Sequence, residues 1–141
     1  MHLGEFLALG ACFEDLGAKT GNKRAELLGT TLDGAIGKLL EDNKGPSRKT
    51  GELDNRGSQF YLAKYWAQEL AEQTEDKELA DHFAALAKSL AESEDAIVSE
   101  LAEVQGDSVD IGGYYYPDPD KTTAVMRPSK TFNSVLEAAQ G

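Results

Sequence analysis

The 141-residue sequence has a single cysteine, Cys12, so no internal disulfide can brace the fold. Cys12 sits among Phe6, Leu7, Leu9 and Phe13, where a small buried thiol is the expectation, and a reducing, cytoplasmic compartment fits. Prolines number only four, and 40% of residues are hydrophobic, which excludes disordered and fibrous classes. No apolar stretch approaches the roughly 20 residues that a membrane span requires. Met1-His2-Leu3-Gly4-Glu5 lacks the basic and apolar regions of a secretory signal. Cations are also scarce, 14 against 25 acidic residues for a net charge of −11, which argues against both nucleic acid and anionic membranes as partners. Motifs with self-contained chemistry are missing: there is no Cys cluster, no His-Glu-x-x-His, no Gly-x-Ser-x-Gly, no phosphate loop and no dinucleotide Gly-x-Gly-x-x-Gly. His82 has Glu78 one turn earlier but none of the further ligands a metal centre needs. No catalytic residue and no metal ligand can be named.

What is present is helical periodicity, over a length that suits one domain spanning residues 1–141. Leu3, Phe6, Leu7, Phe13 and Leu16, with Leu9 and Cys12 beside them, predict a first helix ending near Gly17. Asn22 is placed to cap a second, in which Leu28, Leu32, Ala35, Ile36 and Leu39 recur until Gly45-Pro46. Phe60, Tyr61, Leu62, Tyr65, Trp66 and Leu70 predict a third, capped by Asp54 or Ser58. Thr74 is the expected cap of a long fourth helix over Asp76 to Gln105, with Leu79, Phe83, Leu86, Leu90, Ile97, Leu101 and Val104 as its stripe; Glu92-Ser93-Glu94-Asp95 offers an alternative break. Gly112 to Asp120 has no helical period and reads as an ordered Gly/Tyr/Pro loop whose three tyrosines pack over the helices, before a last helix from about Ser129 to Ala139. The fold class is therefore all-α, an antiparallel, bundle-like unit of about five helices.

Among so many carboxylates, Lys44-Gly45-Pro46-Ser47-Arg48-Lys49 concentrates three cations in six residues. Arg48 could grip phosphate oxygens bidentately, Ser47 could donate its hydroxyl, and Lys44 and Lys49 would raise the local potential. The alternative is a helix-terminal lysine followed by solvated loop charges. Arg56 adds a guanidinium nearby, although Asp54 two residues earlier makes an internal ion pair equally available.

Several stretches carry a specific resemblance: Leu3-Gly4-Glu5-Phe6-Leu7-Ala8-Leu9, Pro46-Ser47-Arg48-Lys49, Gly51-Glu52-Leu53-Asp54-Asn55-Arg56-Gly57-Ser58, Phe60-Tyr61-Leu62-Ala63, Tyr65-Trp66-Ala67-Gln68, Val109-Asp110-Ile111-Gly112-Gly113-Tyr114-Tyr115, Arg127-Pro128-Ser129 and Thr131-Phe132-Asn133. In this order they resemble the C-terminal part of monomeric NADP-dependent isocitrate dehydrogenase. The resemblance implies part of an enzyme that oxidatively decarboxylates isocitrate to 2-oxoglutarate. It also implies that the isocitrate and divalent-metal (Mg or Mn) sites come from segments N-terminal to this part, so that the chain is inactive alone. In that family an arginine of the Pro-x-Arg-Lys stretch contacts the 2′-phosphate of NADP, and Arg48 is the matching residue; Lys49 and Arg56 are weaker cofactor-binding candidates. A His and an Arg that complete the grip would fall before Met1. Gln59 and Tyr116 stand where histidines are expected, Lys64 where an apolar residue is, and Gly45 where a small hydroxyl residue is. The expected partners are NADP and the remaining enzyme domains. The alternative is a free-standing helical module that binds another protein or itself as a homo-oligomer.

Overall fold

The computed structural model describes residues 3–106, 110, 112–113 and 115–140. Among them are seven helices, α1 (Leu3–Thr20), α2 (Lys23–Glu41), α3 (Asn55–Glu72), α4 (Lys77–Glu92), α5 (Glu94–Glu103), α6 (Pro119–Met126) and α7 (Lys130–Gln140), and no strand. None is long and apolar enough to cross a membrane. Each helix from α1 to α4 packs on the next, as short connections require, and α7 lies across α4 and α5.

The apolar stripes read from the sequence form the core. Leu32, Ala35, Ile36 and Leu39 of α2 meet Phe60, Tyr61, Leu62, Tyr65 and Ala67 of α3, with Leu90 from α4 and Ile97 and Leu101 from α5 beneath them. Each leucine or phenylalanine removed from water in this way contributes roughly 1.5–3 kcal/mol. Phe60 is fully buried and meets Phe132 edge-to-face, ring centres 5.4 Å apart, which ties α7 to the core.

Six expectations require correction. The first helix runs past Gly17 to Thr20, because Gly17 is a point of close approach rather than a terminator: a Cβ there would lie 2.7 Å from the Glu26 backbone nitrogen. The terminating glycine is Gly21, at φ 68°, and Asn22 then caps α2 by accepting from the Ala25 N–H at 3.2 Å. Cys12 is exposed, as are Leu7, Leu9 and Leu16, because α1 approaches α2 along its glycine side. The cap of α4 is Asp76, not Thr74. Gln73 folds the turn by accepting from the N–H groups of Glu75 (2.8 Å) and Asp76 (2.9 Å), which leaves the Asp76 carboxylate facing the Leu79 N–H at 3.0 Å.

The long helix expected over Asp76 to Gln105 breaks at Ser93, whose φ of −97° and ψ of 2° leave the helical region. Glu94 immediately beyond is held by Lys64 (2.7 Å) and the Tyr61 hydroxyl (2.8 Å) of α3, a tertiary contact that overrides the uninterrupted helical run. The loop reading of Gly112 to Asp120 also ends early: Asp118 accepts from the N–H groups of Asp120 and Lys121, and Pro119 occupies the first turn of α6. Tyr115 and Tyr116, expected to pack over the helices, are 85% and 92% exposed; Tyr114 lies outside the described residues. The last helix starts where expected, with Ser129 as its cap accepting from the Phe132 N–H at 3.0 Å.

Candidate functional site

At one end of the molecule the C-terminus of α2, the N-terminus of α3 and the C-terminus of α5 converge on the basic loop. Asn43 takes φ 56°, and the Lys44 N–H turns back to the Leu39 carbonyl at 2.8 Å, closing α2 two residues before Gly45-Pro46. The fully buried Ser58 hydroxyl donates to the Lys44 carbonyl. The Lys44 ammonium stands 4.6 Å above the Tyr61 ring rather than facing outward with the loop.

From Ser47 the chain makes a small closed excursion. The Ser47 N–H bonds to the Leu53 carbonyl at 2.7 Å, and its hydroxyl donates to Glu52 Oε2 at 2.5 Å while accepting from the Lys49 N–H at 3.1 Å. Gly51, at φ 91°, donates its N–H to Gln105 Oε1 at 2.9 Å, and Gln105 Nε2 returns a bond to the Glu52 carbonyl at 2.5 Å. Gln105 thus clamps the loop to the end of α5 from both sides, over a cleft of about 180 Å³ lined by Leu53, Gly57, Val98 and Leu101.

The predicted site residues separate sharply. Arg48 is exposed at the tip of this clamped loop and, among the described residues, has no hydrogen-bonding or ionic partner for its side chain. Lys49 is 4.0 Å from Glu52 and largely solvated. Arg56 is half enclosed and committed: Nε and Nη2 donate to Asp54 Oδ2 at 2.9 and 2.7 Å, and Nη1 donates to the Val125 carbonyl at 3.1 Å, joining the end of α6 to the start of α3. Asp54 accepts from the Gly57 N–H at 3.0 Å as the cap of α3, so the internal ion-pair reading of Arg56 holds. Ser47, read as a free donor, spends its hydroxyl on Glu52.

Sequence reasoning did not find the anchors. Tyr61, Lys64 and Glu94 form a polar cluster behind Lys44. Burial opposes ionisation of Glu94, but hydrogen bonds from Lys64 and Tyr61 and the charges of Lys64 and Lys44 outweigh it and hold the carboxyl below its ordinary range. Burial, then the bond to Glu94, pushes Tyr61 up to about 12. Lys64, Tyr61 and Tyr65 share a helical face by spacing, yet their partners Glu94 and Asp42 are too distant in sequence for any spacing rule.

Among the described residues, ten of the fourteen lysines and arginines stand within 4.0 Å of a carboxylate, and Lys44, Arg48, Arg127 and Lys130 do not. Among the described residues no three His, Cys, Asp or Glu side chains stand together to hold a metal. The divalent ion that the resemblance implies therefore has no fitting site built from these residues alone.

Fold and loop together define an acidic, all-α unit with one arginine, Arg48, exposed on a loop whose backbone is hydrogen-bonded on both sides. The family model for monomeric isocitrate dehydrogenase matches residues 2–137, and the chain belongs to that family. It is 76% identical over 139 residues to isocitrate dehydrogenase (NADP) 2 of Mycobacterium tuberculosis, a match covering 99% of this chain and 19% of that protein. It is 58% identical over 134 residues to isocitrate dehydrogenase (NADP) of Azotobacter vinelandii, covering 95% and 18%, and 49% identical over 136 residues to that of Corynebacterium glutamicum, covering 96% and 18%. The chain spans about a fifth of the length of these relatives.

Proposed function

We propose that residues 1–141 serve as one helical unit of an NADP-dependent isocitrate dehydrogenase, an enzyme converting isocitrate to 2-oxoglutarate, and that this unit contributes to binding the 2′-phosphate of NADP. The observation that carries the reading is Arg48: exposed, free of carboxylates among the described residues, and mounted on a loop that Ser58, Gln105 and Glu52 hold in place. A loop backbone already fixed in position loses little freedom on meeting a phosphate, so more of the charge-assisted bond survives as affinity. Lys49 adds charge beside it. Arg56 acts indirectly, holding the turn after the loop through Asp54. The 2′-phosphate is what separates NADP from NAD, so the role is cofactor discrimination; hydride transfer and decarboxylation belong to residues outside this chain.

The test is a titration of the isotopically labelled chain with adenosine 2′,5′-bisphosphate and, separately, with adenosine 5′-monophosphate. Amide shifts confined to residues 47–53, given by the bisphosphate and lost in Arg48→Ala, are expected. A charge-assisted bond of about 1.5–3 kcal/mol predicts a roughly 10- to 100-fold preference between the two ligands. Equal responses, no response to either ligand, or an Arg48→Ala variant that binds unchanged would each refute it.

A further inference from the structure

Helix α1 carries apolar residues on nearly every side but buries little more than glycine. Its fully buried residues are Gly10 and Gly17, which let it lie against α2: a Cβ at Gly29 of α2 would stand 2.7 Å from the Gly10 carbonyl oxygen. Leu3 and Phe6 at its start reach the core. The remaining large side chains point elsewhere. Leu9, Cys12, Phe13 and Leu16 recur at spacings of three and four and so form one stripe, in which Leu9 and Leu16 are 38% and 49% exposed and Cys12 is exposed. Leu7, 47% exposed, lies on the other flank of the glycine line. Charged residues Glu5, Glu14, Asp15 and Lys19 are also on this helix, but contiguous apolar patches on a protein surface mark contacts.

We infer that the Leu9–Cys12–Phe13–Leu16 stripe of α1 is an interface, and that its occupant is the part of the family polypeptide that this chain does not span. Four-fifths of each relative lies outside the matched region, whereas the apolar side of α1 lies inside it in a protein 76% identical to this one. Charge points the same way. The rest of the surface is strongly acidic at a net −11, so two copies brought together would bury the stripe at the cost of mutual repulsion, while the remainder of a longer polypeptide is tethered and meets no such concentration-dependent penalty. The inference rests on family membership and does not depend on Arg48 binding phosphate.

The exposed thiol inside the stripe supplies the readout. The rate of Cys12 alkylation, read by mass spectrometry on the peptide that contains it, is compared between the 141-residue chain and a chimera in which the chain replaces the matching segment of the M. tuberculosis relative. The chain alone is expected to sediment as a monomer and react at a rate independent of its concentration, and the chimera to react at least tenfold more slowly. Leu9→Asp with Leu16→Asp should leave helix content and melting of the free chain unchanged but lower the melting temperature of the chimera and restore Cys12 reactivity. Equal thiol rates in chain and chimera would overturn the inference, as would equal effects of the aspartates in both. A free chain whose Cys12 becomes protected as it dimerises would make a second copy the occupant and overturn it too.

Discussion

The contact between α1 and α2 makes a sharp prediction, because one chemical change should have opposite signs at two positions eight residues apart on the same helix. Gly29 and Gly37 both lie within α2. Exchanging a helical glycine for alanine removes backbone freedom from the unfolded chain and stabilises by about 0.5–1 kcal/mol where the site is open. Gly37 is open, with nothing within 4 Å of a Cβ placed there, so Gly37→Ala should raise the melting temperature, by roughly 2–5 °C for a chain of this size. At Gly29 the same methyl would stand 2.7 Å from the Gly10 carbonyl oxygen and 3.0 Å from the Glu14 nitrogen, both backbone atoms of α1 that cannot swing aside. The helices must separate, and overpacking of this kind costs about 1–3 kcal/mol, which exceeds the propensity gain. Gly29→Ala should therefore lower stability by about 1–2 kcal/mol, with faster amide exchange concentrated in α1. Thermal melts followed by circular dichroism, with hydrogen exchange on the same samples, check both variants. If Gly29→Ala stabilises as Gly37→Ala does, α1 does not lie against α2 by backbone contact, and the account of its exposed stripe falls with it.

Three further outcomes follow from the described contacts. The Trp66 indole N–H donates to the buried Thr31 hydroxyl at 3.0 Å, so Thr31→Val should cost about 1–3 kcal/mol by orphaning that donor, seen as a lower urea midpoint and altered tryptophan emission. Glu94 has a folded pKa below its ordinary 4.5, so its contribution to stability is present above that value and is lost as pH falls through the lower one; urea titrations at pH 6 and at about pH 3 should show a smaller acid loss in Glu94→Gln than in the parent. Gln105→Ala removes both bonds that clamp residues 51 and 52, and should speed amide exchange across the loop and weaken adenosine 2′,5′-bisphosphate binding several-fold, without the global loss of stability that a core change would bring.

Where a structural decision is local, the residues themselves disclosed it. Asn22 caps the helix assigned to it, Asp54 rather than Ser58 caps the next, and the stripes of α2 and α3 became the core. The misses share a different physics. The break at Ser93 is the alternative that Glu92-Ser93-Glu94-Asp95 offered, but nothing local decides between it and a continuous helix; it accompanies a contact from Glu94 to Lys64, thirty residues away. Thr74 loses the cap to Asp76 because the Gln73 side chain folds the turn, a competition that no spacing rule ranks. Gly17 looks like a terminator, and only the partner helix shows it to be a site of close approach. One signal was available and unused: Gly10 and Gly17 stand seven apart on one face of α1, the spacing by which two helices touch along their backbones.

The candidate site shows the same division between position and availability. Composition places three cations between Lys44 and Lys49 and a fourth at Arg56, but a charge serves a ligand only if the protein has not already used it. Lys44 turns onto the Tyr61 ring, Arg56 is spent on Asp54 and the Val125 carbonyl, and Lys49 shares Glu52 with Ser47. Those commitments give the loop its shape: Lys44 and Arg56 are drawn inward, Lys49 stays solvated beside Glu52, and Arg48 is left exposed without a partner among the described residues. In a protein with a net charge of −11, long-range attraction for an anion is absent and selectivity must come from contact geometry. Replacing Arg48 by lysine keeps the charge but loses the planar two-pronged donor, so Arg48→Lys should recover only part of the preference for the 2′-phosphate that Arg48→Ala abolishes. Full recovery by lysine would mean that the loop supplies potential rather than geometry, and the reason for clamping it so firmly would have to be sought elsewhere.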